Sequence, residues 1–368
     1  STAAVPHMPA DASDPRWEAL VTLALHHGVT PLLCRVLAGL PADCVPAAIR
    51  DAAATHFARI EREHAVAVTQ LQRALATLSA AAIPALAFKG PALGELAHAS
   101  ATVRPLRDLD VVVPYKTMPR AIEALCAAGY AVQEPYSPAV LRTWCRDHGQ
   151  VTLDATEHLP IDLHGLLAPC TLAVDLDLDG MWQRAQSLAP PHPPLPTFAL
   201  EDTLLAICLH GTKEKWWRLL WVADVAALMA RHRALDWDAV WTRAHAAGMD
   251  RMLGVGLALA DRVFAAPLPA AIARRVREDR KSVALADASY KLLAAATGEA
   301  GSVYRLSRYH WNAHQRRRDR LRYAWRTLVT PGDRHYRMVT LPDSLVAGYV
   351  AVKVVHDYAL EPAWNAGK

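Results

Sequence analysis

Two aspartates separated by a single residue, Asp108 and Asp110, stand at the start of an apolar run. This pattern predicts a β-strand, in which successive side chains point to opposite faces. Asp108 and Asp110 therefore point the same way, while Leu109 and Val111 point into the core. Two carboxylates on one face suit Mg²⁺, which takes one or two protein carboxylates and completes its shell with phosphate oxygens of a substrate. The spacing predicts a site for a nucleoside triphosphate.

Two other stretches must position this pair. An apolar strand pattern at 83–88 ends in Lys89-Gly90 and leads through a short helical pattern to the Asp-x-Asp strand. Further along, residues 150–153 and 160–164 form a hairpin-like pair of strands. Alternation along the second strand places Asp162 and His164 together, opposite its apolar residues, so Asp162 is the natural third carboxylate. The alternative for Asp162 is a solvent-facing strand residue, and Asp154 at the end of the first strand is a weaker competitor.

The order of strand, glycine turn, helix and Asp-x-Asp strand resembles the core of the polymerase-beta-like nucleotidyltransferase superfamily. With Lys89-Gly90, Arg104 and Asp-Leu-Asp-Val-Val-Val at 108–113, the chain is similar to an uncharacterised bacterial branch, the NTP_transf_5-type nucleotidyltransferases. The resemblance covers residues 83–164 well and 210–224 moderately. Most of the superfamily has Gly-Ser where this chain has Lys89-Gly90, so the usual hydroxyl contact to phosphate is missing. Lys89 would replace that contact with a positive charge.

The resemblance implies transfer of a nucleotidyl group that depends on Mg²⁺, with Mn²⁺ as an alternative ion and a nucleoside triphosphate such as ATP as co-substrate. In a two-metal displacement, Asp108 and Asp110 would bridge the ions, and Asp162 would serve the acceptor side and take the hydroxyl proton. These three acids are the predicted catalytic and metal-binding residues. The predicted nucleotide-binding residues are Lys89, Gly90, Arg104, Arg107, His164, His210 and Lys213. The alternative for each basic residue is a surface charge beside an acidic pair, and Arg107 stands where the family more often has a small residue.

A helical pattern across residues 197–231 contains His210, Lys213, Trp217 and Asp224. If this helix is continuous, these residues share one face. Polar groups on an otherwise apolar helix need partners. The His-x-x-Lys spacing, followed by aromatic residues and Asp224, also resembles the helical domain of the same family, which would close over the nucleotide or the acceptor. A structural core histidine is the alternative for His210.

The chain has 368 residues, enough for two domains or for one core with large additions. We predict an α+β protein with a small mixed-sheet nucleotidyltransferase core and large helical N- and C-terminal additions. The N-terminal helical region is residues 1–80, with a long helix from after Pro46 to about Ala80. The core is residues 81–189, and the C-terminal helical domain is residues 197–368. The Pro-rich stretch 190–196 indicates an extended linker between the last two.

The composition and charge of the chain limit the kinds of partner that it is expected to bind. The net charge of +4 is too small to imply nucleic acid by itself. Basic and aromatic residues interleave at 305–326, which indicates binding of an anionic partner or, more commonly, a solvated helix face.

Six cysteines without a Cys-x-x-Cys pair predict buried free thiols in a reducing cytoplasm. The first residues lack a signal-peptide pattern, and the apolar segment 345–360 is too short to span a membrane. A cytoplasmic protein is expected.

Sequence motifs that would indicate other functions are incomplete or absent. The run 175–180 begins like a calcium loop, but its twelfth position is Gln186 rather than Glu, so Asp179 is predicted to cap a helix instead. His310 and His314 have the spacing of a metal pair, yet no third ligand is indicated. The sequence contains no Walker loop, dinucleotide fingerprint or Gly-x-Ser-x-Gly elbow.

The sequence therefore favours Mg²⁺-dependent nucleotidyl transfer from a nucleoside triphosphate to a hydroxyl or phosphate acceptor. Resemblance alone points to a peptide, small molecule or sugar as acceptor, in the biosynthesis of peptide natural products or polysaccharides. Two alternatives stay open. The same site could transfer the γ-phosphoryl group as a kinase does, or the core could be a non-catalytic module that senses a nucleotide or binds a partner.

Overall fold

A computed structural model describes residues 9, 11–41, 43–134, 136–188, 195–296 and 305–360. Most of the predicted Pro-rich linker, at 189–194, lies outside these residues. Among the helices that the structure describes, none combines the length and the apolar character needed to cross a bilayer.

Three helices precede the sheet: α1 Pro15–His27, α2 Thr30–Gly39 and α3 Ala47–Ala80. The sequence signals for α1 are local, because the Asp14 side chain accepts a hydrogen bond from the Arg16 amide and Gly28 ends the helix with a φ of 70°. The long helix α3 begins directly after Pro46 and ends at Ala80, as predicted. The apolar face of its second half packs against the sheet.

The sheet has five strands in the order β1-β2-β5-β4-β3. Strands β2 and β5 are parallel, and the other neighbours are antiparallel, so the sheet is mixed. Its strands are β1 Leu86–Ala87, β2 Leu109–Val112, β3 Ala131–Val132, β4 Gln150–Asp154 and β5 Ile161–His164. The helices between these strands are α4 Gly90–His98, α5 Met118–Ala127 and α6 Pro138–His148. The α+β class with a small mixed sheet is confirmed.

The two faces of the sheet have different surroundings. Leu109, Val111, Ile161 and Leu163 lie in a core cluster with residues of α3 and α5, so the predicted inward faces of β2 and β5 are confirmed. The other face carries Asp110, Asp162 and His164. On that face, apolar packing comes from a smaller cluster that joins β1 and β2 to Phe198 and the helix that follows it.

A short segment connects the sheet to the C-terminal helices through α7 Leu178–Gln183 and the strand pair β6 Gln186–Ser187 and β7 Pro196–Thr197. The predicted cap of α7 is wrong. Asp177, rather than Asp179, is the N-cap residue and accepts a hydrogen bond from the Gly180 amide at 2.9 Å. Asp179 lies inside the first turn because the helix begins at Leu178.

The C-terminal region is helical, as predicted. Its helices are α8 Leu200–Lys213, α9 Leu219–Arg231, α10 Trp237–Ala247, α11 Asp250–Phe264, α12 Ala270–Glu278, α13 Arg280–Ala295, α14 Arg308–Ala313, α15 Arg317–Val329, α16 Asp333–Met338 and α17 Tyr349–Val355. Shorter 3₁₀ segments are Ala101–Val103, Tyr115–Thr117, Cys170–Leu172 and Asp343–Gly348, and a π-helical turn spans His356–Leu360.

The predicted helical region at 197–231 is helical but not continuous, so the condition for a face shared by His210, Lys213, Trp217 and Asp224 is not met. The chain breaks between α8 and α9, where Lys215 and Trp216 have φ angles of 54° and 59°. Trp216 is fully buried, and a Cβ atom at Gly211 or Gly256 would come within 3.0 Å of its ring. The chain turns so that this large indole fills the gap between two glycine-bearing helices. The free energy gained by burying the aromatic side chain exceeds that of continuing the helix.

Several arginines of the basic region bind the protein itself. Arg326 donates to the Cys170 carbonyl at 3.0 Å, Arg322 donates to the Ala173 carbonyl at 2.6 Å, and Arg320 donates to the His314 carbonyl at 2.9 Å. These guanidinium groups hold α15 in place, a structural role that neither the solvated-face interpretation nor nucleic-acid binding includes. The six cysteines are free thiols, of which Cys126 is exposed rather than buried.

Candidate active site

Two neighbouring parallel strands bring the acidic residues together. The register of β2 and β5 places Asp110 beside Asp162 and Val112 beside His164. Residues in register on adjacent strands share a face of the sheet, so the side chains of Asp110, Asp162 and His164 converge. One ligand atom from each of the three lies within 4.8 Å of the others.

Asp110 is the centre of this cluster and is 6% exposed. Its Oδ1 atom accepts hydrogen bonds from Lys89 Nζ at 3.0 Å and from His164 Nε2 at 2.8 Å. Burial by itself would raise the pKa of Asp110, but the Lys89 charge and the His164 hydrogen bond outweigh burial and hold the pKa well below its usual range. Asp110 is therefore ionised wherever the protein functions.

Asp108 lies just before β2 and has the opposite electrostatic behaviour. Burial raises its pKa to about 6, and the negative charges of Asp110 and Asp162 act in the same direction. Lys89 and His164 offset only part of this effect. Three carboxylates thus meet one lysine, which leaves a surplus of negative charge that a divalent cation would neutralise.

Asp162 is oriented by β4. Thr152 Oγ1 donates to Asp162 Oδ1 at 2.6 Å, and Gln150 Nε2 makes a long contact of 3.5 Å to Oδ2. Thr152 and Gln150 were not among the predicted residues. The hairpin pattern contains the signal for Thr152, because antiparallel pairing of β4 and β5 places Thr152 directly opposite Asp162.

The Lys89-Gly90 turn lies at the same edge of the sheet. Lys89 has a φ of 51° and a ψ of −142°, an unfavourable conformation for a residue with a Cβ atom, and Gly90 follows with a φ of 39°. The turn ends β1 and begins α4, whose first amide groups are directed toward this edge. A helix N-terminus next to a lysine is a favourable site for phosphate.

Arg104 links the core to the C-terminal helices. Its Nη1 atom donates a short hydrogen bond to Asp224 Oδ2, while His98 Nε2 lies 3.0 Å from Asp224 Oδ1. Asp224 is 1% exposed, so both contacts are buried. Arg104 Nε is buried and has no hydrogen-bond partner among the residues that the structure describes. The contact between Arg104 and phosphate stays a prediction, and His98 was missed because its partner lies on α9, far along the chain.

Helix α8 brings His210 to the same site, although not through the predicted shared face with Asp224. Burial lowers the pKa of His210 well below its usual value, and the positive charges of Lys89, Lys213 and Arg104 act in the same direction. The imidazole packs edge-on against the Trp221 ring, with 5.1 Å between centroids. His210 is therefore neutral and faces the cations of the site.

The two remaining predicted residues lie at the margins. Lys213 Nζ pairs with Glu214 at 3.2 Å. Arg107 is exposed and immediately precedes Asp108. Within the described part of the chain, Arg107 forms no ion pair.

A small mixed sheet that carries an Asp-x-Asp strand, a third acid on the neighbouring strand and a glycine turn before a helix is the arrangement of a nucleotidyltransferase core. The model of a family described as uncharacterised nucleotidyltransferase matches residues 13–265. The match covers more than half of the chain, and the protein belongs to this family of transferases. No curated protein matches the chain. The matched residues extend from α1 to the end of α11, so they include every predicted site residue.

Proposed function

We propose that this protein transfers a nucleotidyl group from a nucleoside triphosphate to a hydroxyl or phosphate acceptor, with Mg²⁺ as the metal and Mn²⁺ as an alternative. The observation that carries the proposal is the convergence of Asp110, Asp162 and His164 beside the Lys89-Gly90 turn, with Asp108 close enough for its charge to interact with both acids. Three carboxylates with one lysine form a site for a cation, and a lysine at a helix N-terminus forms a site for phosphate. A metal-bound triphosphate needs both.

The donor atoms fit a hard cation. Asp108, Asp110 and Asp162 supply carboxylate oxygens, which Mg²⁺ prefers. The pKa of Asp108 is raised first by burial and then by the charges of Asp110 and Asp162, which supports binding of a cation here. When bound, the ions would neutralise the triphosphate and lower the pKa of the attacking hydroxyl.

Side chains of the protein would bind the triphosphate and accept the proton of the acceptor. Lys89 lies at the first turn of α4, where it can exchange its contact with Asp110 for one with the triphosphate. The acceptor oxygen forms a bond to the α-phosphorus, and the bond from that phosphorus to the bridging oxygen breaks, so pyrophosphate leaves with the electron pair. Asp162 Oδ2 accepts the proton of the attacking hydroxyl group, because its contact with Gln150 is long, at 3.5 Å, whereas Thr152 binds Oδ1 at 2.6 Å.

The nature of the acceptor and the cellular location belong to the same proposal. The family resemblance favours a modified peptide or a sugar, in natural-product or polysaccharide biosynthesis. ATP is the donor to examine first. A cytoplasmic location follows from the requirement for a nucleoside triphosphate.

The test is calorimetric titration of the four ribonucleoside triphosphates with Mg²⁺ into wild type and Asp108→Ala/Asp110→Ala. We expect metal-dependent binding that disappears in this variant while its circular dichroism spectrum stays that of a folded protein. Asp175→Ala/Asp179→Ala is the matched control, because it removes two exposed carboxylates outside the site. No binding by wild type, or equal binding by wild type and the site variant, would contradict the proposal.

A second experiment separates nucleotidyl transfer from the kinase alternative. Product formed from α-labelled nucleotide carries label only if the nucleotidyl group moves, whereas γ-labelled nucleotide labels the product only if the terminal phosphoryl group moves.

A further inference from the structure

A cavity of about 600 Å³ is lined in part by Leu106, whose Cδ2 atom would lie 3.6 Å from a Cβ atom at Gly90 in the proposed donor site. Its walls come from α3, from the connection between α1 and α2, and from residues 105–107 and 157–159. This volume lies within the range of small-molecule sites, about 300–1,000 Å³. Among the residues that line the cavity, Arg107 alone was assigned a role above, the predicted contact with the nucleotide.

The position of the cavity suits an acceptor. Arg107 lines it and Asp108 follows in the chain, while Leu159 lines it and precedes β5, which carries Asp162. Strand β2 lies between β1 and β5, so the Lys89-Gly90 turn and residues 157–159 lie on opposite sides of Asp108. In-line displacement requires the attacking oxygen and the leaving pyrophosphate to lie on opposite sides of the α-phosphorus.

Much of the cavity wall is apolar. Val66 on α3 is 65% exposed and Leu25 at the end of α1 is 57% exposed, although both are aliphatic. Ile60, Leu106 and Leu159 continue this surface. Exposed aliphatic side chains grouped around a cavity favour a ligand with an apolar body.

Two arginines at the cavity lack acidic partners. Arg107 and Arg218 form no ion pair within the described residues, and Arg218 Nε is buried without a hydrogen bond. Burial lowers the pKa of Arg218, the charge of Arg107 lowers it further, and Glu214 offsets only part of this effect. The guanidinium stacks on the Trp217 ring with 4.4 Å to the centroid, which fixes its position.

The arginines and glutamates that line the cavity number three and two, so one positive charge remains in excess. Arg59 is paired with Glu63 at 2.6 Å, so that pair is neutral. Glu157 is exposed at the cavity. Two unpaired guanidinium groups that repel each other are a favourable site for a phosphate or carboxylate, which would accept hydrogen bonds from both.

We propose that this cavity binds the acceptor, and that the acceptor carries a phosphate or carboxylate on an apolar body, with the anionic group between Arg107 and Arg218. This inference rests on the proposed nucleotidyl transfer, because it identifies the second substrate of that reaction. It also assigns Arg218 to substrate binding, which neither the sequence pattern nor the family match does.

The probe is n-octyl phosphate, which combines an apolar chain with an anion, and it is compared with octanol and inorganic phosphate. Each is titrated calorimetrically into wild type in the presence of Mg²⁺ and α,β-methylene-ATP, whose α–β bond resists cleavage. We expect n-octyl phosphate to bind more tightly than either partial probe and to bind together with the nucleotide analogue.

Two variants test the site. Arg218→Gln removes one guanidinium group and should weaken n-octyl phosphate binding about tenfold without changing octanol binding, since a hydrogen bond to a charged group is worth more than a neutral one. Val66→Trp fills the cavity from an exposed position and should weaken both probes. Arg62→Gln is the matched control, because Arg62 is an exposed arginine on α3 outside the cavity. Affinity for the nucleotide analogue should be the same in all three.

Three results would overturn the inference: no binding of n-octyl phosphate, equal affinity in Arg218→Gln and Arg62→Gln, or competition between n-octyl phosphate and the nucleotide analogue. Competition would assign the cavity to the donor nucleotide. In each case the binding of the analogue is measured independently, so failure of the acceptor site is distinct from failure of the proposed nucleotidyl transfer.

Discussion

The active-site cluster of Asp110, Asp162 and His164 has a geometric counterpart near the end of the described chain, formed by His335, His356 and Asp357. In both clusters, one ligand atom from each residue lies within 4.8 Å of the others. The active-site cluster belongs to the sheet and its Asp-x-Asp strand. The second joins α16 to the turn after α17 and lies beyond the residues that the family model matches.

The two clusters differ in charge. Asp357 accepts hydrogen bonds from Lys353 at 3.0 Å, Arg334 at 2.6 Å, His335 at 2.9 Å and His356 at 2.8 Å. Burial would raise the pKa of Asp357, but the hydrogen bonds from His356, His335 and Lys353 hold it well below its usual range. One carboxylate therefore meets two permanent cations, whereas three carboxylates in the active site meet only Lys89.

This difference distinguishes a structural ion network from the proposed metal site. Distances alone place three potential ligands together in both clusters. In the C-terminal cluster the positions around the carboxylate are already taken by cations of the protein, and Lys353 is 0% exposed. In the candidate active site, burial and the charges of Asp110 and Asp162 raise the pKa of Asp108, and the proposed cation would offset these negative charges.

The largest effect should be on metal binding. Asp108→Asn/Asp110→Asn should abolish binding of Mn²⁺, measured by calorimetry, because it removes two of the three carboxylates that would hold the ion. Asp357→Asn should leave Mn²⁺ binding unchanged. Loss of Mn²⁺ binding in Asp357→Asn alone would reverse the assignment of the two clusters.

The second effect should be on stability. Asp357→Asn removes the buried carboxylate that accepts hydrogen bonds from Lys353, Arg334, His335 and His356, and we expect a loss of about 3–5 kcal/mol in the free energy of unfolding. Glu63→Gln breaks the exposed pair with Arg59 and should cost less than about 1 kcal/mol. Urea unfolding of wild type and both variants measures these losses. Similar losses in the two variants would show that the C-terminal network does not stabilise the fold as a buried ion network should.

The third effect should be a gain in stability rather than a loss. In metal-free buffer, Asp108→Asn should raise the free energy of unfolding by about 1–3 kcal/mol at neutral pH, because it removes a carboxylate whose folded pKa exceeds its unfolded one. The pKa of Asp108 is raised from 3.8 to about 6. The gain should be fully present above about pH 6 and should vanish below about pH 4, where the carboxyl group is protonated in both states.

Urea unfolding at about pH 7.5 and about pH 4.5 checks this pH dependence, with the gain in stability expected to be smaller at the lower pH. An equal gain in stability at both pH values would show that folding does not raise the pKa of Asp108.

The smallest effect should come from a residue that touches a carboxylate without binding the ion. Thr152→Val removes the hydroxyl group that orients Asp162 and should weaken Mn²⁺ binding about tenfold. Thr152→Ser retains the hydroxyl group and should bind Mn²⁺ as wild type does. Gln150→Ala should change the affinity less than Thr152→Val, because its contact with Asp162 is 3.5 Å long. Equal affinity in wild type and Thr152→Val would mean that Asp162 does not depend on this contact.

The local patterns of the sequence were enough to predict several elements. Alternation along β2 and β5 predicted which residues face the core, and that prediction is confirmed by Leu109, Val111, Ile161 and Leu163. The limits of α3 followed from Pro46 and helical periodicity. Both signals arise from the backbone geometry of neighbouring residues, so a short stretch of sequence contains them in full.

Local patterns failed where a distant side chain decided the outcome. Helical periodicity continued through residues 214–218, but burial of Trp216 against Gly211 and Gly256 broke the helix there. The link between Arg104 and Asp224 joins residues on different elements and was not predicted. The second ion network around Asp357 likewise depends on the packing of α16 against α17.

The sequence by itself determined that this protein has an Asp-x-Asp strand, a Lys-Gly turn before a helix and a strand that turns Asp162 and His164 to one face. The tertiary structure decided that β2 and β5 are parallel neighbours in the register that joins Asp110 to Asp162. It also decided that His210 approaches from α8 and that Arg107 and Arg218 meet at one cavity. Periodicity specifies which way a side chain points, whereas the neighbour that it meets depends on the packing of segments far apart in the chain.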